Sequence, residues 1–326
     1  MVMTSKDFNP FLFYSAQLQE LLLKSSKEKN PALWLYKNNA RTILFMLEAL
    51  TRLHNHAFDE KLFEKWNKRF KKLEDLFGEI DQYIVLENEL KLNKKIAKEV
   101  VKYFTINTAN YLEKCNRRLV EKEWFKDKLH SFDYKLGEFD VTYNQGYLDN
   151  LKHTMLDEID SILKFAKKFN YQFTKIEEEV HELRRKLRWI GIYAQSLNGL
   201  VQLKKSSKKT KFKINYFTNE ILKSPYNVLP PPPKNKSLIE LDHDSFFALS
   251  WMIKELGTLK DQGLKIQKLS DALFISEDIT QQQANKKALK LLGFDLNTPE
   301  NVLKRSSEIV ETFLTKDKIL EKLIIE

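Results

Sequence analysis

The chain has 326 residues, with 55 Lys and Arg against 45 Asp and Glu and a formal net charge of +10. A hydrophobic content of 42% with 22 Phe excludes a disordered chain, and the length allows one large domain or two smaller ones. Only 8 Gly and 8 Pro occur, fewer than the turns of an all-β or α/β protein of this size require. The composition therefore predicts an all-α fold. The charge indicates an anionic partner: nucleic acid, inorganic polyphosphate or a membrane surface. The alternative is that the proteins of the source are generally basic and that this one has no such partner.

Cysteine usage and hydropathy indicate the compartment. The single cysteine, Cys115, excludes a disulfide framework within the chain and favours a reducing environment. The N-terminal segment lacks the basic, apolar and small-residue order of a signal peptide. No run of 18 apolar residues predicts a membrane span. We therefore expect a cytoplasmic protein without a transmembrane segment.

Helical periodicity dominates the first half of the chain. Asn30 followed by Pro31 predicts a helix start, because Asn can cap a helix and Pro fits its first turn. The elements predicted for this half are helices over about 8–27, 30–53, 60–90 and 93–122, followed by a looser region over 130–146.

The helical pattern restarts at Tyr147. Thr174 and Glu177 have the spacing of a capping box. A Lys/Pro-rich insertion at about 201–237 contains Pro230–Pro233, which favours extended polyproline structure. The predicted helices of this half cover about 147–169 and 175–200, begin near 245 and again near 261, cover 280–292, and begin once more at Thr298-Pro299.

The restart predicts an internal duplication. Asn38-Asn39-Ala40-Arg41 matches His181-Glu182-Leu183-Arg184, and the segment around Gly78 matches that around Gly257. The two offsets differ by about the length of the Lys/Pro-rich insertion, so one insertion reconciles both matches. We therefore predict two pseudo-repeated helical units, residues 1–145 and 146–326, with the insertion at about 201–237 in the second. An array of unrelated helix pairs is the alternative.

Two stripes of cationic side chains carry the functional hypothesis. At about 100° per residue, one stripe of the later helix carries His181, Arg184, Arg185 and Arg188. The earlier helix carries Arg41 and Arg52 on one stripe. Each guanidinium offers a planar fork for bidentate phosphate contact, so a run of phosphates satisfies several at once. Two alternatives stay open: side chains lying along neighbouring helices, and arginines paired to nearby carboxylates such as Glu182.

The segment HELRRKLRWIGIYA resembles the signature helix of the CHAD family, the conserved histidine α-helical domain. In that motif a histidine is followed by an arginine at +3 and a basic residue at +7, here His181, Arg184 and Arg188. A second signature helix has a Leu-Gly-x-Leu-Arg-Asp type sequence, which LGTLKD at 256–261, with Lys260 at the basic position, resembles. The family is built from two four-helix units, so the resemblance implies two such units packed side by side.

The first copy matches the motif less closely. Asn38 stands at the histidine position, Arg41 at +3 and Phe45 at +7, and Gly78 is kept without the basic residue. The resemblance implies non-catalytic binding of inorganic polyphosphate or a similar polyanion in a basic groove between the two units. We expect His181 to bind better when protonated. The side chains expected to line the groove are Arg41, Arg52, His181, Arg184, Arg185, Arg188 and Lys260.

The Lys/Pro-rich insertion adds two alternatives. Its lysine run predicts either a solvated loop or a basic arm that closes over the polyanion, formed by Lys204, Lys205, Lys208 and Lys209. In a structural interaction protein, Pro230–Pro233 would instead recruit a protein partner. A sequence-independent nucleic-acid binder is the remaining alternative. No nucleophile–base pair or phosphate-binding loop is present, so we expect no enzymatic activity and no cofactor.

Three further clusters have residue types found in metal or catalytic sites, but each has a simpler interpretation. His54, His56 and Asp59 are interpreted as a helix-end surface, because the two histidines point to different faces. Residues 242–244 (DHD) are interpreted as an acidic helix N-terminus. Basic neighbours could lower the thiol pKa of Cys115, but no catalytic partner is evident. We therefore expect neither a metal site nor a catalytic residue.

Overall fold

A computed structural model describes most of the chain: residues 9–58, 60–126, 128–138, 143–205, 212–234, 237–293 and 299–325. These residues form twelve α-helices, several single helical turns and two short strands. The predicted all-α fold is confirmed.

The first half contains six helices. They are α1 (Pro10–Ser25), α2 (Pro31–Lys37), α3 (Ala40–Phe58), α4 (Lys61–Lys91), α5 (Lys98–Glu121) and α6 (Lys128–Glu138). Asn30 caps α2 by accepting a hydrogen bond from the backbone N–H of Leu33 at 3.2 Å, as expected. The single helix predicted over 30–53 is wrong. Asn39 adopts a left-handed φ of 58°, which asparagine tolerates, and the chain turns there between α2 and α3.

The region predicted as looser over 130–146 is also partly wrong. Helix α6 covers its beginning, because Leu129, Phe132 and Leu136 recur at helical spacing and are all buried. Tyr143 follows and is buried as well.

The second half contains six helices and both strands. They are α7 (Gln145–Lys168), α8 (Glu182–Ser196), β1 (Val201–Lys204), α9 (Asn219–Leu222), β2 (Ile239–Asp242), α10 (His243–Ser276), α11 (Gln281–Leu292) and α12 (Pro299–Glu311). A π-helical turn, Ile176–His181, leads into α8. The helices predicted to begin near 245 and 261 are instead one continuous helix, α10.

The capping box predicted between Thr174 and Glu177 is wrong, because Glu179 is the partner of Thr174. The carboxylate of Glu179 accepts hydrogen bonds from the backbone N–H of Thr174 at 2.7 Å and of Lys175 at 3.2 Å. Glu177 lies on the other side of the widened π turn, 3.9 Å from His181. A true capping box occurs before α11, between Thr280 and Gln283.

Outside residues 206–211 and 235–236, the Lys/Pro-rich insertion is more ordered than its composition indicates. Strand β1 at its start pairs in parallel with β2 beyond its end, and Val201 is in register with Ile239. The buried Tyr216 donates a hydrogen bond to Asp317 at 2.8 Å. Pro230 accepts one through its carbonyl from Gln202 at 2.9 Å. The described parts of the insertion therefore pack against the helical body.

Two hydrophobic cores position the site. The main core extends from Phe11 to Leu323 and includes α3 packed against α7 and α8, so it spans both predicted units. A smaller core joins the far ends of α4 and α5 to α10 and α11, where Phe104 lies in the same cluster as Leu273. The two halves therefore meet at two places, with a gap between them. The duplication and the division at residue 145 stay predictions.

Among the described helices, none has the length and apolar character that crossing a membrane would require.

Candidate functional site

A cleft of about 1280 Å³ lies in the gap between the two halves. Helices α3, α4 and α5 line one side, and the π-helical turn, α8 and α10 line the other. Lys and Arg outnumber Asp and Glu by thirteen to nine among the described residues of its wall. All the side chains predicted for the groove lie in this wall: Arg41, Arg52, His181, Arg184, Arg185, Arg188 and Lys260.

Arg188 is held in the cleft without a carboxylate at ion-pair distance among the described residues, although the charge of Glu74 acts on it from farther away. Its guanidinium lies 4.3 Å from the ring centroid of Phe45, so the residue at +7 in the first stripe meets the residue at +7 in the second. Burial, reinforced by the nearby charge of Arg184, lowers the pKa of Arg188 to about 10. Within the described residues it has no hydrogen bond or ion pair. A half-buried cation of this kind is costly unless an anion pairs with it.

Arg184 is fixed by the backbone of α10. Its Nε donates to the carbonyl of Ile253 at 3.0 Å, and the side chain lies over Gly257. A Cβ at Gly257 would be 2.8 Å from Nε of Arg184, so only glycine leaves room for this contact. Burial lowers the pKa of Arg184, although Asp261 opposes that shift. No carboxylate within the described residues lies at ion-pair distance, so the outer nitrogens stay open to a ligand.

Arg41 has the same position in the first half but a different electrostatic state. It lies over Gly78, whose Cβ would be 2.8 Å from its Nη2. Its Nε is 2.8 Å from Glu74, and its Nη1 is 3.0 Å from Asp81. Tyr36 also donates to Asp81 at 2.9 Å. Two carboxylates therefore neutralise Arg41, so the alternative of internally paired arginines holds for this residue.

Arg52 is also internally paired. Its Nη2 is 2.8 Å from Glu158, and its Nε donates to the hydroxyl of Tyr193 at 2.7 Å. His56 contacts the same carboxylate at 3.1 Å. Burial alone would raise the pKa of Glu158, but the hydrogen bond from His56 and the charge of Arg52 lower it to about 2. Arg52 lines the cleft with its charge already matched.

His181 lies where the π-helical turn meets α8. Its Nδ1 is buried, and no hydrogen-bond partner for it lies in the described segments. Burial, followed by the charge of Lys260, lowers the pKa of His181, so the free protein favours the neutral imidazole. Lys260 is 3.5 Å from Asp261. The more exposed Arg185 pairs with Glu182 at 2.8 Å.

Seven further cations of the cleft wall were not predicted. They are Lys71, Lys72, Lys114, Arg117, Arg118, Lys265 and Lys268. Three of them, Lys114, Arg117 and Arg118, lie at i, i+3 and i+4 on one face of α5. That spacing is the signal already used for α8, and it would have identified the α5 stripe as well.

The basic arm is described only in part. Lys204 is 2.7 Å from Glu240 across the two strands, and Lys205 is exposed. Lys208 and Lys209 lie outside the described residues. The charge of Lys204 is therefore paired with Glu240 within the sheet.

The helix-end surface predicted for His54 is wrong. Its ring is fully buried, 4.7 Å from that of Phe11, and its Nδ1 is 2.7 Å from the carbonyl of Leu50. Burial lowers the pKa of His54 to about 3. Asp59 lies outside the described residues. His54 is near the end of α3, but it faces the main core.

The remaining two clusters have structural roles. Asp242 caps α10 by accepting a hydrogen bond from the backbone N–H of Ser245 at 2.8 Å. Burial raises the pKa of the Cys115 thiol to about 12, so the lowered pKa considered from its basic neighbours is wrong. Over the described ranges, no group of three or more His, Cys, Asp or Glu is arranged to hold a metal ion.

Chemically, the cleft presents fixed guanidinium and ammonium donors to a partly enclosed space. Ionised phosphoryl oxygens satisfy such donors with short, charge-assisted hydrogen bonds. Comparison with family models, curated proteins and solved structures gives no match to the chain.

Proposed function

We propose that this protein binds inorganic polyphosphate, or a similar phosphate-rich polyanion, in the cleft without catalysing a reaction on it. Arg188 carries this proposal, because its half-buried guanidinium is unpaired within the described residues and stacks on Phe45. The contact with the ring positions the guanidinium, whose N–H groups have no partner within the described residues. An anion bound there would replace the solvation that the cleft removes.

The number of unneutralised cations favours a polyanion over a single anion. Besides Arg188, several cations of the wall lie beyond ion-pair distance of every carboxylate in the described ranges: Lys72, Lys114, Arg117, Arg118, Arg184 and Lys268. They project from four different helices, α4, α5, α8 and α10. One phosphate contacts only two or three of these groups, whereas a chain of phosphates reaches many of them.

Resemblance to the CHAD family supports the same ligand class. In each half, the arginine at the +3 position of the signature lies over the glycine of the second signature helix: Arg41 over Gly78 and Arg184 over Gly257. We propose that the chain is a divergent member with an asymmetric groove. Its first half offers fewer unpaired cations to a ligand. Arg41 is neutralised by two carboxylates, and Phe45 stands at +7, where the motif has a basic residue.

The test is the affinity of long-chain polyphosphate, measured by calorimetry over a salt series. We expect affinity to fall with rising salt, because phosphate contacts release counterions. The double variant Arg184→Ala/Arg188→Ala should lose about 100-fold in affinity, since two charge-assisted contacts are removed. The matched control Lys304→Ala/Arg305→Ala removes the same charge from the exposed face of α12 and should bind as the parent does.

Unchanged binding in the Arg184/Arg188 variant, or an equal loss in the control, would contradict the proposal. Competition with short duplex DNA separates polyphosphate binding from nucleic-acid binding, because a nucleic-acid binder would prefer the duplex. If the protein instead recruits a partner through Pro230–Pro233, polyphosphate should not bind at all.

We also propose a cytoplasmic location. The single thiol, Cys115, is buried in the main core as a free cysteine, a state that suits a reducing compartment.

A further inference from the structure

The Lys/Pro-rich insertion contacts helix α8 beyond Ile192, the last residue of that helix in the cleft wall. A helical turn at Pro225–Asn227 lies against Gln195, whose Nε2 donates to the carbonyls of Tyr226 at 2.9 Å and Val228 at 3.1 Å. Gln195 follows Arg188 by two helical turns on the same stripe of α8, about 10 Å along the axis. The insertion therefore contacts the face of α8 that carries Arg188, two helical turns further along the helix.

Tyr226 combines a fixed backbone with an open side chain. The neighbouring Asn227 is buried and donates to the carbonyl of Ile221 at 2.8 Å, which holds the turn in place together with Gln195. The side chain of Tyr226 is 77% exposed and makes no ring contact within the described residues. Its phenol is nevertheless close enough to Arg188 to influence the pKa of that guanidinium.

Two apolar side chains of α8 follow Arg188 along the cleft, and the guanidinium of Arg52 lies over the ring of the first, Trp189, at 5.3 Å. Trp189 and Ile192, which follow Arg188 on α8, both line the cleft. An inorganic phosphate chain has no apolar group to place against them. A sugar and a base, in contrast, gain from such a surface, and an exposed aromatic ring is a platform on which any base can stack.

We infer that Tyr226, on the turn that contacts α8 beyond the cleft lining, is a base-stacking platform and that the ligand is a nucleoside polyphosphate. Its phosphates lie on Arg184 and Arg188, its sugar passes Trp189 and Ile192, and its base stacks on Tyr226. The inference rests on the proposed function, because it takes the phosphate site as given and adds a site for the organic part of the ligand.

The experiment compares adenosine triphosphate with inorganic tripolyphosphate, which has the same number of phosphates and more charge. We expect the nucleotide to bind the parent protein about ten-fold more tightly, as one stacked base contributes. Tyr226→Ala should reduce nucleotide affinity to that of tripolyphosphate and leave tripolyphosphate unchanged. Tyr226→Phe should keep the preference, because stacking does not need the hydroxyl. Tyr134→Ala is the control, because it removes a 72% exposed tyrosine from α6, a helix with no residue in the cleft wall.

Equal or weaker binding of the nucleotide by the parent protein overturns the inference, as does a preference that survives Tyr226→Ala. In both cases tripolyphosphate binding leaves the proposed function standing. If long-chain polyphosphate binds but neither adenosine triphosphate nor tripolyphosphate does, the inference is overturned and the proposed function stands. If no phosphate compound binds, the inference and the proposed function both fail.

Discussion

Glu48 is a carboxyl group buried in the wall of the cleft. Its side chain is 3% exposed, and its Oε2 has no hydrogen-bond partner within the described residues. Burial, followed by the charge of Glu74, raises the pKa of Glu48 to about 8, although Lys71 and Arg52 oppose the shift. Near neutral pH this group is mostly protonated and adds no negative charge to the cleft.

Polyphosphate affinity should therefore fall as the pH rises above about 8. A bound polyanion disfavours the ionised carboxylate and raises the pKa of Glu48 further, so binding takes up a proton in that range. Affinities measured from pH 7 to 9 with long-chain polyphosphate test this, since its internal phosphates stay ionised throughout. Glu48→Gln should remove the fall, and an identical fall in that variant would show that another group titrates.

His181 is expected to bind a polyanion better when it is protonated, and the free protein favours the neutral form. Burial and the charge of Lys260 lower its pKa, and neither effect is visible in a linear sequence. A bound polyanion raises the pKa of His181, so charging this group should add affinity as the pH falls from the pKa of the complex toward the lowered pKa of the free protein.

Among the helices, the close contact between α8 and α10 sets the position of Arg184. Gly257→Ala should displace Arg184, because the added Cβ would be 2.8 Å from its Nε, at the flexible end of the side chain. Alanine gains about 1 kcal/mol in helix propensity, and the lost hydrogen bond to Ile253 costs about the same. We expect the free energy of unfolding to change by less than about 1 kcal/mol while polyphosphate affinity drops about ten-fold.

Gly78→Ala provides the matched comparison, since it displaces the neutralised Arg41 in the same way. Calorimetry and denaturant unfolding on both variants separate binding from stability. If Arg184 binds the ligand and Arg41 does not, Gly257→Ala should lose more polyphosphate affinity than Gly78→Ala. Equal losses would mean that both arginines serve the ligand alike, and a large loss of stability would mean that the glycines serve only packing.

Helical periodicity predicted the elements whose burial follows a simple stripe. Helix α4 and helix α7 lie within two residues of their expected ends, because each buries one regular apolar face. Boundaries set by a single residue or by tertiary contact were missed. The turn at Asn39 depends on one left-handed residue, and α10 continues through Gly257, where Arg184 of α8 lies against it.

At the scale of the whole molecule, the two predicted stripes are similar in sequence but unequal in charge. Arg41 and Arg52 are neutralised by Glu74 and Glu158, which are 33 and 106 residues distant in the chain. Arg184 and Arg188 have no such partners within the described residues. The sequence identified side chains that line one cleft, but only the fold determines which of them remain available to an anion.

We propose that the guanidinium groups of Arg184 and Arg188 bind the phosphate groups of the ligand. The most direct measurement follows the side-chain Nε–H resonances of ¹⁵N-arginine-labelled protein during titration with long-chain polyphosphate. Arg184→Lys and Arg188→Lys variants assign the two signals. Both resonances should move and saturate together, while that of the exposed Arg305 stays in place. Binding that leaves the signals of Arg184 and Arg188 unmoved would contradict the account.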